Sequence, residues 1–207
     1  MILTISEHAY ESRPFWPNLT FGQKLRSLMS ADELNIRRAK RLLSKMPDDL
    51  FALYMKPLIA EHGFPFYASD TPTHWPWTQL FDCHSFKTIC ELSWQRNEIA
   101  FSLEAFHRFS QKQIKELLRV HVFGEKTEYA DIPNTEVRFW RARSYIAGTG
   151  RMPVPIVVMQ DLDGGGLRIL DGNHRLAAMA SLPNAAEGIV DCWIGTRLTP
   201  ASHNFRS

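Results

Sequence analysis

Between residues 30 and 63, apolar residues recur every three or four positions, which is the spacing of one face of an α-helix. The first such stretch, Ile36 to Leu43, follows the segment Ser30 to Glu33, which matches a capping box. The second begins at Pro47 to Asp49 and is expected to end near Gly63, with a disturbance at Pro57. The pattern therefore predicts two consecutive helices.

Two further helices are predicted beyond residue 100. The longer one runs from Ser102 to Val122, where apolar side chains recur near helical spacing and form a clear stripe. The other runs from Glu136 to Ile146 and is expected to end at Gly148 and Gly150. The residues between these helices, 125–134, are polar and turn-like, so this segment is the best internal boundary.

The C-terminal part changes to the pattern of short strands. Pro155 to Met159 is a β-branched apolar run, Asp163-Gly164 begins a hairpin-type turn, and Leu167 to Leu170 forms a second short run. Helical spacing then returns after residue 175, and Ile189 to Ile194 reads as a closing strand. This order predicts a small sheet with one helix between its strands.

Together these patterns predict an α+β protein. We expect residues 126–207 to form a small mixed β-sheet domain. Residues 1–125 should form a mainly helical region that packs on this domain. The helix from Ser102 to Val122 has the apolar stripe needed to cover one face of the sheet. We therefore expect the N-terminal region to be integral to the fold and not a detachable module.

Composition narrows the class of protein. Hydrophobic residues make up 44% of the 207 positions and aromatic residues 12%, which argues against disorder over most of the chain. The net charge of +2 gives no global electrostatic footprint for nucleic acid. Three cysteines do not suggest a disulfide framework. With no signal-peptide pattern and no apolar run of membrane length, we expect a soluble, cytoplasmic protein without a membrane partner.

The segment Asp171-Gly172-Asn173-His174-Arg175 concentrates polar chemistry between a strand and a helix. A helix start leaves backbone N–H groups unpaired and carries partial positive charge, so an anion such as phosphate is the natural guest. Arg175 adds a forked cation, and Asp171 could hold a metal or orient His174. In the alternative interpretation, Asp171 and Asn173 cap the helix while Arg175 pairs with a surface acid.

Two other segments carry weaker signals. Asp82-Cys83-His84 offers a thiol beside an imidazole, but adjacent residues rarely point at each other and no orienting group is identifiable. The segment from Phe64 to Thr78 is rich in proline and tryptophan, which favours an ordered loop that packs on the core or faces a ligand. Neither segment changes the choice of the Asp171–Arg175 loop as the main candidate.

Residues 131–197, with Pro-Ile-Val-Val, a turn, a second strand and a Gly-x-His-Arg string, resemble the ParB/sulfiredoxin superfamily. The resemblance implies a ParB/sulfiredoxin-like domain in which Gly172, Asn173, His174 and Arg175 bind the phosphates of a nucleotide. Kinases of this superfamily use an acidic residue upstream of the first strand, and Glu136 is the best-placed candidate here.

Departures from related patterns exclude some activities. Sulfiredoxin has a catalytic cysteine at the position of Asn173, and asparagine cannot supply a thiolate, so sulfiredoxin chemistry is not expected. A Fic-type enzyme has a catalytic histidine five residues before the glycine of its Gly-Asn-x-Arg string. That position is Leu167 here, so the Fic interpretation fails.

The sequence therefore predicts a nucleotide-binding enzyme that hydrolyses or transfers phosphate, either an ATP- or CTP-dependent phosphotransferase or a nucleotide hydrolase. Its cofactors would be a nucleoside triphosphate or diphosphate and Mg²⁺, with a small-molecule or macromolecular acceptor. His174 and Arg175 would hold the polyphosphate, Asp171 would bind Mg²⁺ or serve as a base, and Glu136 would be the second acid.

Two other classes of function remain open from the sequence. In a DNA-associated module, the same loop would bind a backbone phosphate without turnover, helped by the arginines between Arg138 and Arg143. In a catalytically silent scaffold, the loop would bind no ligand. A salt-dependent interaction with DNA favours the first of these classes, and the absence of any ligand-induced thermal shift favours the second.

Overall fold

A computed structural model describes residues 31–64, 77, 81, 84–127, 130, 134–160 and 165–197. The helices, in chain order, are α1 (Ala31–Leu42), α2 (Asp48–Leu50), α3 (Lys56–His62), α4 (Phe86–Glu91), α5 (Arg108–His121), α6 (Thr135–Thr149) and α7 (Asn173–Ala180). The strands are β1 (Leu92–Ala100), β2 (Ile156–Gln160), β3 (Leu167–Asp171) and β4 (Ile189–Arg197). The protein is thus of the α+β class that the sequence predicts.

The four strands form one mixed sheet in the order β1-β4-β2-β3. β1 and β4 are antiparallel, β4 and β2 are parallel, and β2 and β3 form the predicted antiparallel pair. β2 lies inside the sheet, and its first four residues are all buried. Burial on both faces accounts for its continuous apolar run. β3 is an edge strand, and this edge carries the Asp171–Arg175 loop.

Helices cover both faces of the sheet. Because side chains alternate along a strand, Val157 and Met159 of β2 join one hydrophobic core, whereas Ile156 and Val158 join the other. The first core is completed by α1 to α4 and the second by α5 to α7. The N-terminal helices therefore pack on the face opposite to the helix that follows the candidate loop.

The two helices predicted between residues 30 and 63 are confirmed. The second is a continuous run in which a π-helical turn, Phe51–Met55, joins α2 to α3. The expected disturbance is this turn, since Pro57 lacks an N–H and a widened turn lets the helix pass the missing bond. The run ends at Gly63, whose φ of 76° lies in the left-handed region that favours glycine.

The predicted helix from Ser102 to Val122 begins later than expected. Residues Leu103–Ala105 form a 3-10 turn, and Phe106 pairs with Leu167 in an isolated parallel bridge. Helix α5 starts only after this bridge, at Arg108. The side chain of His107 caps the helix by accepting a hydrogen bond from the Phe109 N–H. A tertiary pairing thus overrides the helical periodicity of the first six residues.

Strand β1 was not predicted, although it supplies an edge of the sheet. Its first residue and Trp94 are buried, but most of the strand from Gln95 onwards is exposed, so no period-2 pattern develops. β1 and α5 both precede residue 125. The segment 126–207 therefore lacks one strand of the sheet and one of the helices that pack on it.

Several predicted features lie outside the described residues. They include the Asp163-Gly164 turn, Asp82 and Cys83, and most of the segment from Phe64 to Thr78. Within the described ranges, no helix is both long enough and apolar enough to cross a membrane.

Candidate functional site

The turn between β3 and α7 requires glycine. Gly172 has a φ of 117°, and a Cβ atom there would lie 2.5 Å from Cγ2 of Ile156. Its carbonyl accepts the hydrogen bond of the Leu176 N–H at 3.0 Å, which closes the first turn of α7. The strand, loop and helix therefore follow each other as predicted, and Gly172 lets the chain turn against β2.

Asp171 and Arg175 form an ion pair within the loop, with 2.6 Å between Oδ2 and the guanidinium. The Arg175 side chain is 13% exposed, whereas that of Asp171 is 47% exposed. Part of the capping alternative is thus correct, since Arg175 does pair with an acid. That acid is Asp171, the residue for which we predict a metal-binding or catalytic role.

His174 lies in a polar cluster behind the loop. Its Nε2 is 2.5 Å from Oγ1 of the buried Thr135, and the same hydroxyl lies 3.5 Å from Nε2 of His121. Burial, with help from the nearby cation Arg138, lowers the pKa of His174 to about 4. His174 is therefore neutral at neutral pH and offers a ligand hydrogen bonding but no positive charge.

The two other predicted site residues are placed differently. Glu136 is exposed in the first turn of α6, and its charge opposes the burial that lowers the pKa of His121. Oδ1 of Asn173 is buried without a hydrogen-bond partner. The structure thus brings Asp171, Gly172, His174 and Arg175 to one surface, while neither Glu136 nor Asn173 lines it.

That surface is a cleft of about 590 Å³ at the β3 edge of the sheet. One side comes from the helical run that joins α2 to α3, and its accessible residues, which we name the apolar wall, are Leu53, Pro57 and Leu58. The other side comes from α6 and α7, and its three arginines, which we name the cationic wall, are Arg138, Arg141 and Arg175. The remaining lining residues are Tyr54, Ala142, Tyr145, Pro153, Leu170, Asp171, Gly172 and His174.

Two cations of the cationic wall have no partner among the described residues. Neither Arg138 nor Arg141 has a hydrogen-bond or ion-pair partner in the described structure, and both are exposed. Arg143 of the same helix behaves differently, because it donates to Ser181 Oγ at 3.0 Å and lies over the ring of Trp140. Asp171 is the only acid among the described lining residues, so the cleft carries excess positive charge.

The described residues of the cleft offer few ligands for the predicted Mg²⁺. No group of three or more histidine, cysteine or acidic side chains that could hold a metal occurs among the described residues. Asp171 is the one carboxylate among the lining residues that the structure describes. One carboxylate fits the mode in which Mg²⁺ takes its remaining ligands from substrate phosphates and water.

Sequence reasoning missed the apolar wall and Thr135. Leu53, Pro57 and Leu58 lie more than a hundred residues before the loop in the chain, and they join it only because helices cover both faces of the sheet. Thr135 carried no motif, although its place at the start of a helix beside Glu136 was available as a signal. No family model, curated protein or solved structure matches the chain.

Proposed function

We propose that the cleft binds a nucleoside triphosphate or diphosphate and that the protein hydrolyses or transfers its phosphate. The observation that carries this proposal is the pair of arginines, Arg138 and Arg141, which lie in a concave site and have no partner among the described residues. An unpaired guanidinium has a forked donor pattern that matches a phosphate. The similarity of the Asp171–Arg175 loop to phosphate-binding loops of the ParB/sulfiredoxin superfamily supports the same assignment.

The start of α7 supplies the second part of the phosphate site. Gly172 has no side chain to cap the helix, so the first N–H groups of α7 and its partial positive charge are offered to a ligand. Arg175, in the first turn of the helix, adds a cation. His174 contributes a neutral ring whose Nε2 is engaged with Thr135. The charge that holds the phosphates thus comes from arginines.

Phosphoryl transfer depends mainly on positioning and charge neutralisation, and the cationic wall provides both. A phosphate that binds Arg175 competes with Asp171 for the same guanidinium. The Asp171 carboxylate, half exposed at the cleft, would then be free to take a proton from water or an acceptor hydroxyl. In its alternative role, Asp171 would hold Mg²⁺ together with the phosphates, and the ion would neutralise further charge. Glu136, the predicted second acid, does not line the cleft, and its charge only partly offsets the burial that lowers the pKa of His121.

The test separates turnover from binding with Asp171→Asn. Phosphate release from ATP and CTP with Mg²⁺ should fall by on the order of 100-fold, while affinity stays equal or rises because the competing carboxylate is gone. Asp191→Asn is the matched control, since Asp191 pairs with Arg96 and does not line the cleft.

Two results would contradict the proposal. If the wild type binds a nucleotide but releases no phosphate, even with added acceptors, the enzymatic part fails. If it binds no nucleotide and instead shifts duplex DNA in a salt-dependent way, the DNA-associated class is correct.

A further inference from the structure

We infer that the nucleotide lies with its base on the apolar wall, and that the cleft therefore accepts the four common bases with little discrimination. This inference rests on the proposed function, because it takes the cationic wall as the phosphate site. It assigns the binding of the base to the helical run between Phe51 and His62, which packs on the opposite face of the sheet from α7.

The composition of the apolar wall is the first support. Leu53, Pro57 and Leu58 have no side-chain hydrogen-bonding group, and Pro57 also lacks a backbone N–H. Tyr54, the other residue of this run that lines the cleft, is only 4% exposed. Among the described residues of this run, a base lying here would meet mainly carbon atoms, because the one polar side chain that lines the cleft, Tyr54, is almost fully buried.

Exposure is the second support. The core-facing side of the run is fully used, with Leu50, Phe51, Met55 and Ile59 buried in the first core. Leu53 nevertheless remains 36% exposed and Pro57 is exposed, both at the cleft. Packing within the described core does not account for these apolar side chains. Apolar surface in a concave site, opposite unpaired cations, is suited to a flat ring that carries an anion.

The position of the polar groups is the third support. The arginines, His174 and the exposed Tyr145 belong to α6 and α7, and Asp171 to the end of β3. The phosphates would engage these groups, which leaves the base to the apolar side. Sites that hydrogen-bond a substrate reject analogues by large factors, whereas apolar pockets discriminate weakly among rings of similar size. Weak base discrimination therefore follows from where the polar side chains lie.

The experiment compares binding of five probes to the full chain by titration calorimetry: ATP, CTP, GTP, UTP and inorganic tripolyphosphate. We expect the four nucleotides to bind within roughly tenfold of one another, and tripolyphosphate to bind at least about tenfold more weakly. In Leu53→Ala/Leu58→Ala, nucleotide affinity should fall roughly 5- to 20-fold, whereas tripolyphosphate affinity should stay within about twofold.

Leu34→Ala is the matched control, because Leu34 on α1 is also 36% exposed but does not line the cleft. It should leave all five affinities unchanged. If the double variant does not fold, Leu53→Ala alone, at the more exposed position, gives the same comparison with a smaller change.

The outcomes separate this inference from the function on which it rests. Preference for one base by more than about 100-fold, or tripolyphosphate binding as tightly as ATP, would overturn the inference and leave the phosphate site in place. Equal losses for tripolyphosphate and nucleotides in the leucine variant would also overturn it. If none of the five probes binds, the proposed function fails as well.

Discussion

The two walls of the cleft differ in origin and in chemistry. The cationic wall is built on α6 and α7, which pack through the second core, and its chemistry was visible in the sequence. The apolar wall is built on the run from Phe51 to His62, which packs through the first core on the opposite face of the sheet. The described residues of the two walls come together in the cleft beside the end of β3. A short polar motif can thus indicate one half of a site, while the other half depends on the whole fold.

The largest expected effect comes from removing the apolar wall altogether. A chain of residues 125–207 lacks β1, α5 and every helix of the first core, so one sheet edge and both covers are incomplete. A single hydrophobic core in a segment of this size gives a free energy of unfolding of only a few kcal/mol. We expect a poorly dispersed heteronuclear NMR spectrum and no nucleotide binding. Well-dispersed amide peaks with retained binding would show that the cationic wall is autonomous.

A smaller effect is expected from a substitution at Gly172, the residue that precedes α7. Gly172→Ala places a methyl group 2.5 Å from Ile156 Cγ2 on a backbone with positive φ. Strain and overpacking should lower the free energy of unfolding by about 2–4 kcal/mol. Gly148→Ala is the control, because its Cβ has open space within α6 and should stabilise by about 0.5–1 kcal/mol. Denaturant unfolding measures both, and equal stabilities would refute the steric role of Gly172.

Acid should lower the stability of the fold through His174, which lies beside the cationic wall. The folded protein lowers the pKa of this residue to about 4, so between about pH 6.5 and pH 4 the unfolded chain takes up a proton that the folded protein excludes. The free energy of unfolding should fall over this window, by about 2–3 kcal/mol from His174 alone, and level off below it.

The comparison with His174→Gln isolates this contribution from that of other titrating groups. The variant should have a shallower slope than the wild type, and His121, whose pKa is also lowered by burial, should account for part of the slope that remains. A pH profile identical in wild type and His174→Gln would contradict the buried, neutral state of His174.

Most of the fold could be predicted because its elements have local signals. The Gly63 stop, the Gly150 end of α6 and the strands β2 to β4 all follow from periodicity or turn chemistry. β1 could not be predicted because an exposed edge strand has no alternation of apolar and polar residues. The start of α5 was misplaced because the bridge between Phe106 and Leu167 is a tertiary contact.

The site was predicted only in part, for the same physical reason. The loop residues are adjacent in the chain, so their chemistry is visible together. Asp171 ends β3 and Arg175 lies in the first turn of α7, so their pairing depends on the turn at Gly172 and not on helical spacing. The lowered pKa of His174 depends on burial, and the separation of Arg143 from Arg138 and Arg141 depends on Ser181 and Trp140. These properties arise only in the folded protein.

The central claim is that the unpaired arginines of the cationic wall hold the phosphates of a nucleotide. Its most direct test is a calorimetric titration of ATP into wild type, Arg138→Ala/Arg141→Ala and Arg143→Ala. The double variant should lose about 10- to 100-fold in affinity, the range for hydrogen bonds to charged groups, while Arg143→Ala stays within about twofold. Unchanged affinity in the double variant, or an equal loss in Arg143→Ala, would contradict the claim.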